Sequence, residues 1–180
     1  CKPGEALVKI RDLVILDENG KRAVDGISFT LRKGEILGIA GVEGNGQTEL
    51  VEAMTGMGGY TSGTIEIGGK DIRGSSVAAI RALKVAHIPE DRMTMGIAPK
   101  LSLTENMIAD KLSWKKFFKN GIINRKAVRS YGEEMVDQYQ VLCKSQDVSI
   151  DSLSGGNIQK VVLARELSGD PQVIIADQPT

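Results

Sequence analysis

No apolar run in the 180-residue chain approaches the roughly 20 residues that a membrane span requires, and no signal peptide opens it. Cysteine is scarce: Cys1 and Cys143 make no disulfide framework, and both are expected to stay reduced in a cytosolic setting. Net charge is absent as well, 23 basic side chains balancing 23 acidic ones, so bulk electrostatics favours neither a nucleic acid nor an acidic partner. Histidine occurs once, as His87 in an apolar stretch, where packing or hydrogen bonding is the expected role. Internal repeats and low-complexity tracts are missing too. What remains is ordinary for a soluble globular protein: 41% hydrophobic and 26% charged residues, in a length suited to one domain with room for an inserted subdomain. The sequence starts at Cys1 without a methionine and stops at Thr180, and it reads as a piece of a longer polypeptide.

Taken in order, residues 8–10 and 14–16 have the composition of strands, and a turn signal (DENG) follows at 17–20. Residues 27–31 alternate apolar and polar, as a half-buried antiparallel strand should. Residues 35–40 (EILGIA) read as a buried strand feeding a glycine-rich run from Gly41 to Thr48. A helix through Leu50, Val51 and Met54 follows, and Gly56 ends it. Further strands are expected at 64–67 and 85–88, with a short helix over 75–83 between them. From Lys100 the character turns helical. Ser102 and Glu105 fit a capping box, and Asn124 caps a helix with Val128, Tyr131, Met135, Tyr139 and Leu142 on one face. The basic and aromatic stretch 114–119 (WKKFFK) is expected to be a helix end with a solvated charged side; a membrane-surface or nucleic-acid role is the alternative.

Strand, glycine loop and helix form the context that a phosphate-binding loop requires. The pattern G-x-x-x-x-G-K-[ST] is met at Gly41, Gly46 and Thr48, but Gln47 replaces its Lys, and taken alone the run is a weak signal that reads more readily as a structural turn. The stretch 153–180 (LSGGNIQKVVLARELSGDPQVIIADQPT) carries more. Its Ser-Gly-Gly turn opens a helix whose apolar Ile158, Val161, Val162 and Leu167 share a face, and Gly169 and Pro171 stop it. The apolar run 173–176 reads as a parallel strand with both faces covered, ending in Asp177 where an open α/β sheet places its ligand chemistry.

LSGGNIQK followed closely by VIIAD resembles the ABC-type ATPase family, as signature motif and Walker B strand. The stretch IPEDR at 88–92, Gly96 and LTENM at 103–107 narrow the resemblance to the second nucleotide-binding domain of the tandem ATPase subunit of bacterial sugar and nucleoside importers. That resemblance implies an α/β fold: an ABC-type P-loop NTPase core, a mixed sheet with an antiparallel β subdomain, and an inserted helical subdomain. Core and degenerate Walker A are expected over 1–99, the helical subdomain over 100–147, and the signature helix with the Walker B strand over 148–180.

The implied cofactors are ATP and Mg²⁺. Gly41, Glu43, Gly44, Asn45, Gly46, Gln47, Thr48 and Glu49 are the expected nucleotide-binding residues, with backbone N–H groups converging on phosphate at a helix N-terminus. Gln47 removes the cation that reaches the β and γ oxygens. Glu43 and Glu49 repel a polyphosphate if they face inward and are neutral if they face solvent. Thr48 and Asp177 are the expected metal residues. Gln178 stands at the catalytic Glu position, where an amide orients water but accepts no proton; Glu90 stands at the Q-loop position and is a candidate replacement carboxylate. No aromatic near Leu16 or Asp17 is placed to stack on adenine. Ser154, Gly155, Gly156, Asn157 and Gln159 form the signature, implied to close over nucleotide held by another domain.

The implied partners are another ABC nucleotide-binding domain in the same polypeptide, membrane-spanning permease subunits and, indirectly, an extracytoplasmic solute-binding protein, with no nucleic acid. The implied place is the cytoplasmic face of the bacterial cell membrane, held peripherally. A non-hydrolysing regulatory module and a soluble, non-transport ABC ATPase are the rival readings.

Overall fold

The computed structural model describes residues 4–42, 44–112, 114–119 and 122–178. In chain order the elements are β1 (Ala6–Leu16), β2 (Arg22–Arg32), α1 (Gln47–Thr55), β3 (Ser62–Ile67), β4 (Lys70–Asp71), α2 (Val77–Ala82) and β5 (Val85–Ile88). There follow α3 (Leu103–Ile108), β6 (Phe118–Lys119), β7 (Ile122–Ile123), α4 (Arg125–Gln138), α5 (Gly155–Leu167) and β8 (Val173–Ala176). They fall into two compact units, Cys1–His87 with Pro171–Asp177, and Ile88–Asp170 with Gln178–Thr180.

The first unit is built on an antiparallel sheet in the order β2-β1-β3-β4. Ile10 faces Phe29 on one side and Ile65 on the other. The two short strands expected at 8–10 and 14–16 are one long strand, β1, interrupted by a bulge. Side chains on a strand alternate, so Val8 and Ile10 would lie opposite Leu13 and Ile15 on a regular strand. The bulge at Arg11–Asp12, with Asp12 at φ +46°, shifts that parity, and all four become buried. Ser28 Oγ accepts the freed Asp12 N–H at 2.8 Å. Gly63, at φ +87°, lets the bulge approach: a Cβ there would stand 2.5 Å from the carbonyl oxygens of Arg11 and Asp12.

Helix α1 packs Leu50, Ala53 and Met54 onto this sheet, in one core with Ile65, Ile67, Ile80, Val173 and Ile175. Gly56, at φ +79°, ends the helix as the sequence predicts. Strand β5 pairs with β8. Strand β8 differs from the expectation of two covered faces. Val173 and Ile175 are buried, but Ile174 is 50% exposed: alternate side chains point to opposite faces, and only one face of β8 is covered by the described residues. Residues 35–40 differ further. They form no ladder among the described residues, and Ile36 is 100% exposed. Apolar, branched composition favours a strand only where a neighbouring strand takes its backbone hydrogen bonds, and here none of those described does.

The second unit is helical. The capping box of α3 is complete: Ser102 Oγ accepts the Glu105 N–H at 3.2 Å, and Glu105 Oε2 accepts the Ser102 N–H at 2.8 Å. Asn124 caps α4 by accepting the Ala127 N–H at 3.1 Å. On α4, Tyr131 and Met135 are buried as predicted, whereas Leu142 lies beyond the helix end and is 75% exposed. The stretch from Trp114 is not a helix end. Phe117 is fully buried, its ring 5.1 Å from that of Tyr131, and this pulls the chain inward into the β6–β7 hairpin. Two polar side chains inside this core are satisfied. Asn106 bonds both backbone groups of Ala98, and Lys111, 1% exposed at its side chain, donates to Asp110 Oδ1 and the Arg165 carbonyl, each at 2.7 Å.

Candidate nucleotide and signature sites

The glycine run of the first unit ends in the N-terminus of α1. Gly44 and Gly46, at φ +83° and +89°, turn the backbone through the left-handed region. Gly46 also lies beneath the backbone of β2: a Cβ on it would collide with the Ala23 carbonyl oxygen. The loop closes with the Asn45 N–H donating to Val42 O at 3.2 Å and the Leu50 N–H to Gly46 O at 3.0 Å. Gln47 folds back into the loop. Its Nε2 donates to Val42 O at 3.2 Å and lies where a Cβ on Gly41 would stand. The side chain that replaces the Lys thus occupies the inside of the loop as a neutral amide. Glu43 lies outside the described residues.

Beside Thr48 a hollow of about 470 Å³ is lined by Ile15, Leu16, Asp17, Glu49, Glu52 and Gly58, among others. No aromatic ring lines it, in line with the missing stacking residue near Leu16. Asp17, Glu18, Glu49 and Glu52 give it a negative wall. Glu49 and Glu52 are among these acids, and acids facing a bound polyphosphate would oppose it. Thr48 is exposed and Asp177 is half-buried at the end of β8. Their hydroxyl and carboxylate are oxygen donors of the type a hard cation takes. No group of three His, Cys, Asp or Glu forms a metal site among the described residues.

In the second unit, Glu90 and Gln178 line one small hollow with Pro89, Arg92, Gln159 and Val162. Its room is about 10 Å³, close to that of a single water. Gln178 sits at φ +42°, a left-handed conformation that strains a side-chain-bearing residue by about 1 kcal/mol. Arg92 carries no role in the sequence reading, although IPEDR contains it. Asp91 shapes the turn that aims it. Asp91 Oδ2 accepts the Thr94 hydroxyl at 2.6 Å, and Oδ1 accepts the N–H groups of Met93 and Thr94. These bonds, the Thr94 hydroxyl first, hold the Asp91 carboxyl below its ordinary pKa. The Arg92 guanidinium then reaches Gln159 Oε1 at 3.5 Å and lies 3.0 Å from where a Cβ on Gly155 would be. A basic residue two positions after Glu90 was the available sequence signal.

The signature turn stands open. Ser154, extended at φ −66° and ψ 153°, is the N-cap of α5 and is exposed. Its carbonyl accepts the N–H groups of Asn157 and Ile158, and its hydroxyl makes no cap bond to the helix backbone. A Cβ on Gly156 would meet nothing within 4 Å. Glycine inside a helix costs about 0.5–1 kcal/mol relative to alanine, and nothing described in this chain requires it here.

The ABC transporter family profile matches residues 24–180. The chain is 37% identical over 180 residues to the nucleoside import ATP-binding protein NupA of Lactococcus lactis, covering 100% of the chain and 36% of that protein. It is 34% identical to the guanosine import ATP-binding protein NupO of Bacillus subtilis over 180 residues (100% and 35%). It is 32% identical to the ribose import ATP-binding protein RbsA of Chromobacterium violaceum over 178 residues (99% and 34%). The chain spans about a third of the length of these curated relatives. The dimeric structure of MJ0796, a bacterial ABC transporter cassette, superposes with a TM-score of 0.78 at 19% identity, over 97% of this chain and 75% of that one. MJ1267, an ATP-binding cassette of an ABC transporter, gives 0.75 at 20% identity over 94% and 68%.

Proposed function

Because the chain belongs to the ABC transporter family and has the fold of its ATPase cassettes, we propose that it is the degenerate second cassette of an importer's tandem ATPase subunit. It couples ATP binding and hydrolysis to uptake of a sugar or nucleoside. The named relatives, import ATP-binding proteins for nucleosides, guanosine and ribose, support that solute class. The observation that carries the reading is the open signature turn: Ser154 is exposed, and among the described residues nothing demands a glycine at 156. Gly156 leaves room for phosphate oxygens held by the other cassette, and the backbone N–H groups of Gly155 and Gly156 are donors at a helix N-terminus.

The chain's own nucleotide site is the weaker one. Gly44, Gly46, Gln47 and Thr48 cradle phosphate through backbone N–H groups, the Asn45 N–H being taken by Val42 O, but the Gln47 side chain brings no charge to the β and γ oxygens. A charged hydrogen bond contributes roughly 1.5–3 kcal/mol, so affinity is lower by about ten- to a hundredfold. Thr48 and Asp177 would hold Mg²⁺, which supplies charge neutralisation at the phosphates when bound. At the end of β8, Gln178 orients the attacking water and takes no proton; Glu90, in the same hollow, is the nearest candidate base.

The working partners are a complete cassette in the same polypeptide and membrane-spanning permease subunits, with an extracytoplasmic solute-binding protein acting through them. The division at 99/100 and 147/148 into core, helical subdomain and signature segment belongs to the same proposal. So does peripheral placement on the cytoplasmic face of the membrane; no described helix is long and apolar enough to cross one. The test is to restore both missing groups, Gln47→Lys with Gln178→Glu, and measure MgATP affinity and turnover. A gain in both is expected. Turnover unchanged from the parent would favour a second reading, a nucleotide-holding regulatory half, which the amide at Gln178 supports.

A further inference from the structure

Within the second unit, the signature serine is joined to the loop after α4 by a single side chain, Asn157. The Leu142 N–H donates to Asn157 Oδ1 at 2.8 Å, and Asn157 Nδ2 lies 3.0 Å from Ser154 Oγ. The polarity of this chain is fixed at its first link. A backbone N–H is only a donor, so the amide must present its oxygen to Leu142 and its NH₂ to Ser154. Ser154 Oγ is therefore an acceptor from within the protein. The backbone N–H that a capping serine usually takes is held by the Ser154 carbonyl instead, at 2.9 Å from Asn157 N. Among the described residues the Ser154 hydroxyl proton has no acceptor, and the side chain is exposed. A second tether keeps the loop in place: Lys160 Nζ donates to the Gln140 carbonyl at 2.8 Å.

We propose that Asn157 is a positioning residue that sets the direction of the Ser154 hydroxyl, turning it into an obligate outward donor toward an anionic oxygen of the partner-bound nucleotide. The inference rests on the signature reading above. Asn157 does not touch the nucleotide in this account. It fills one of the two acceptor lone pairs of Ser154 Oγ from the protein side, so the hydroxyl proton points away from Asn157, and the anchored loop at Leu142 prevents the amide from flipping.

Asn157→Asp separates this role from a structural one. A carboxylate still accepts the Leu142 N–H and retains the side chain's shape, and an acid in the first turn of a helix suits its dipole. A structural role therefore leaves this variant folded and active. The positioning role does not, because a carboxylate only accepts, and Ser154 must then turn its proton inward. The experiment measures ATP turnover and KM of the intact subunit for Ser154→Ala, Asn157→Asp, Asn157→Leu and the double variant Ser154→Ala with Asn157→Leu, with a thermal melt of each.

Expected are losses of about tenfold or more in kcat/KM for each single variant, the size of one charged hydrogen bond, with Asn157→Asp melting like the parent. Expected also is less than about a twofold further loss when Asn157→Leu is added to Ser154→Ala, as for residues that act as one unit. A Ser154→Ala variant with parental kinetics overturns the signature reading and the inference together. A Ser154→Ala loss with Asn157→Asp near parental activity overturns the inference alone. So does a full extra loss from Asn157→Leu in the Ser154→Ala background.

Discussion

Two glycine turns of this chain lead into helices, and they are built in opposite ways. In the loop before α1 the glycines are required by the chain itself. Gly46 is left-handed and lies beneath the Ala23 carbonyl, and Gly41 leaves space that the Gln47 amide fills. In the turn before α5, Gly156 has an ordinary backbone and open space around it, and Ser154 faces out. The first turn is closed on its own side chain; in the second, Arg92 stands against Gly155, but nothing described stands against Gly156. The contrast teaches how to read a glycine. Where its missing Cβ would meet the protein, the glycine serves the fold. Where it would meet open space in a helix, the reason for it lies outside the chain.

The comparison can be broken at either turn. Gly46→Ala should have the largest effect on the fold, since strain at positive φ adds to a backbone collision. A loss of about 3 kcal/mol or more in denaturant unfolding is expected, with MgATP binding abolished. An alanine tolerated there within about 0.5 kcal/mol would show that the loop is not held by β2. Gln47→Lys should tighten MgATP by about ten- to a hundredfold in calorimetric titration. An unchanged affinity would point to the acids at Glu49 and Glu52 as the obstacle.

A smaller effect sharpens the contrast by testing the second unit away from its turn. Ser102→Ala should cost about 1 kcal/mol through loss of the capping box. The Glu105 carboxyl is held below its ordinary pKa by the Ser102 N–H first and the Ser102 hydroxyl next. A lowered folded pKa stabilises fully above the unfolded value of about 4.3 and is lost as pH falls through the folded value. Melting temperature against pH should therefore fall less steeply on the acid side in Glu105→Gln than in the parent. Equal slopes would contradict the assignment.

What the sequence makes legible is local. The capping box at Ser102, the cap at Asn124, the stop at Gly56 and the signature helix each depend on residues within a turn or two of one another. What depends on distant neighbours is not legible in that way. Residues 35–40 have strand composition, but strand formation needs a ladder partner, and composition does not say where one lies. The bulge at Asp12 is hidden because a parity shift looks like two separate strands until β3 aligns with both. Asn157 and Gln159 are readable as motif members, yet their bonds to Leu142 and Arg92 come from segments 15 and 67 residues away. Position 47, an amide where the motif has an ammonium, is the residue on which the proposed asymmetry rests.

That asymmetry is tested most directly by steady-state ATP hydrolysis of the intact subunit with its permease, comparing Gly156→Ala with Thr48→Ala. Alanine at 156 meets nothing among the described residues, so the fold is expected to hold while an outside phosphate is obstructed. The account predicts about a hundredfold loss of turnover for Gly156→Ala, the scale of a lost transition-state donor, and less than about threefold for Thr48→Ala. Parental turnover in Gly156→Ala, or a Thr48→Ala loss as deep as that of Gly156→Ala, would contradict it.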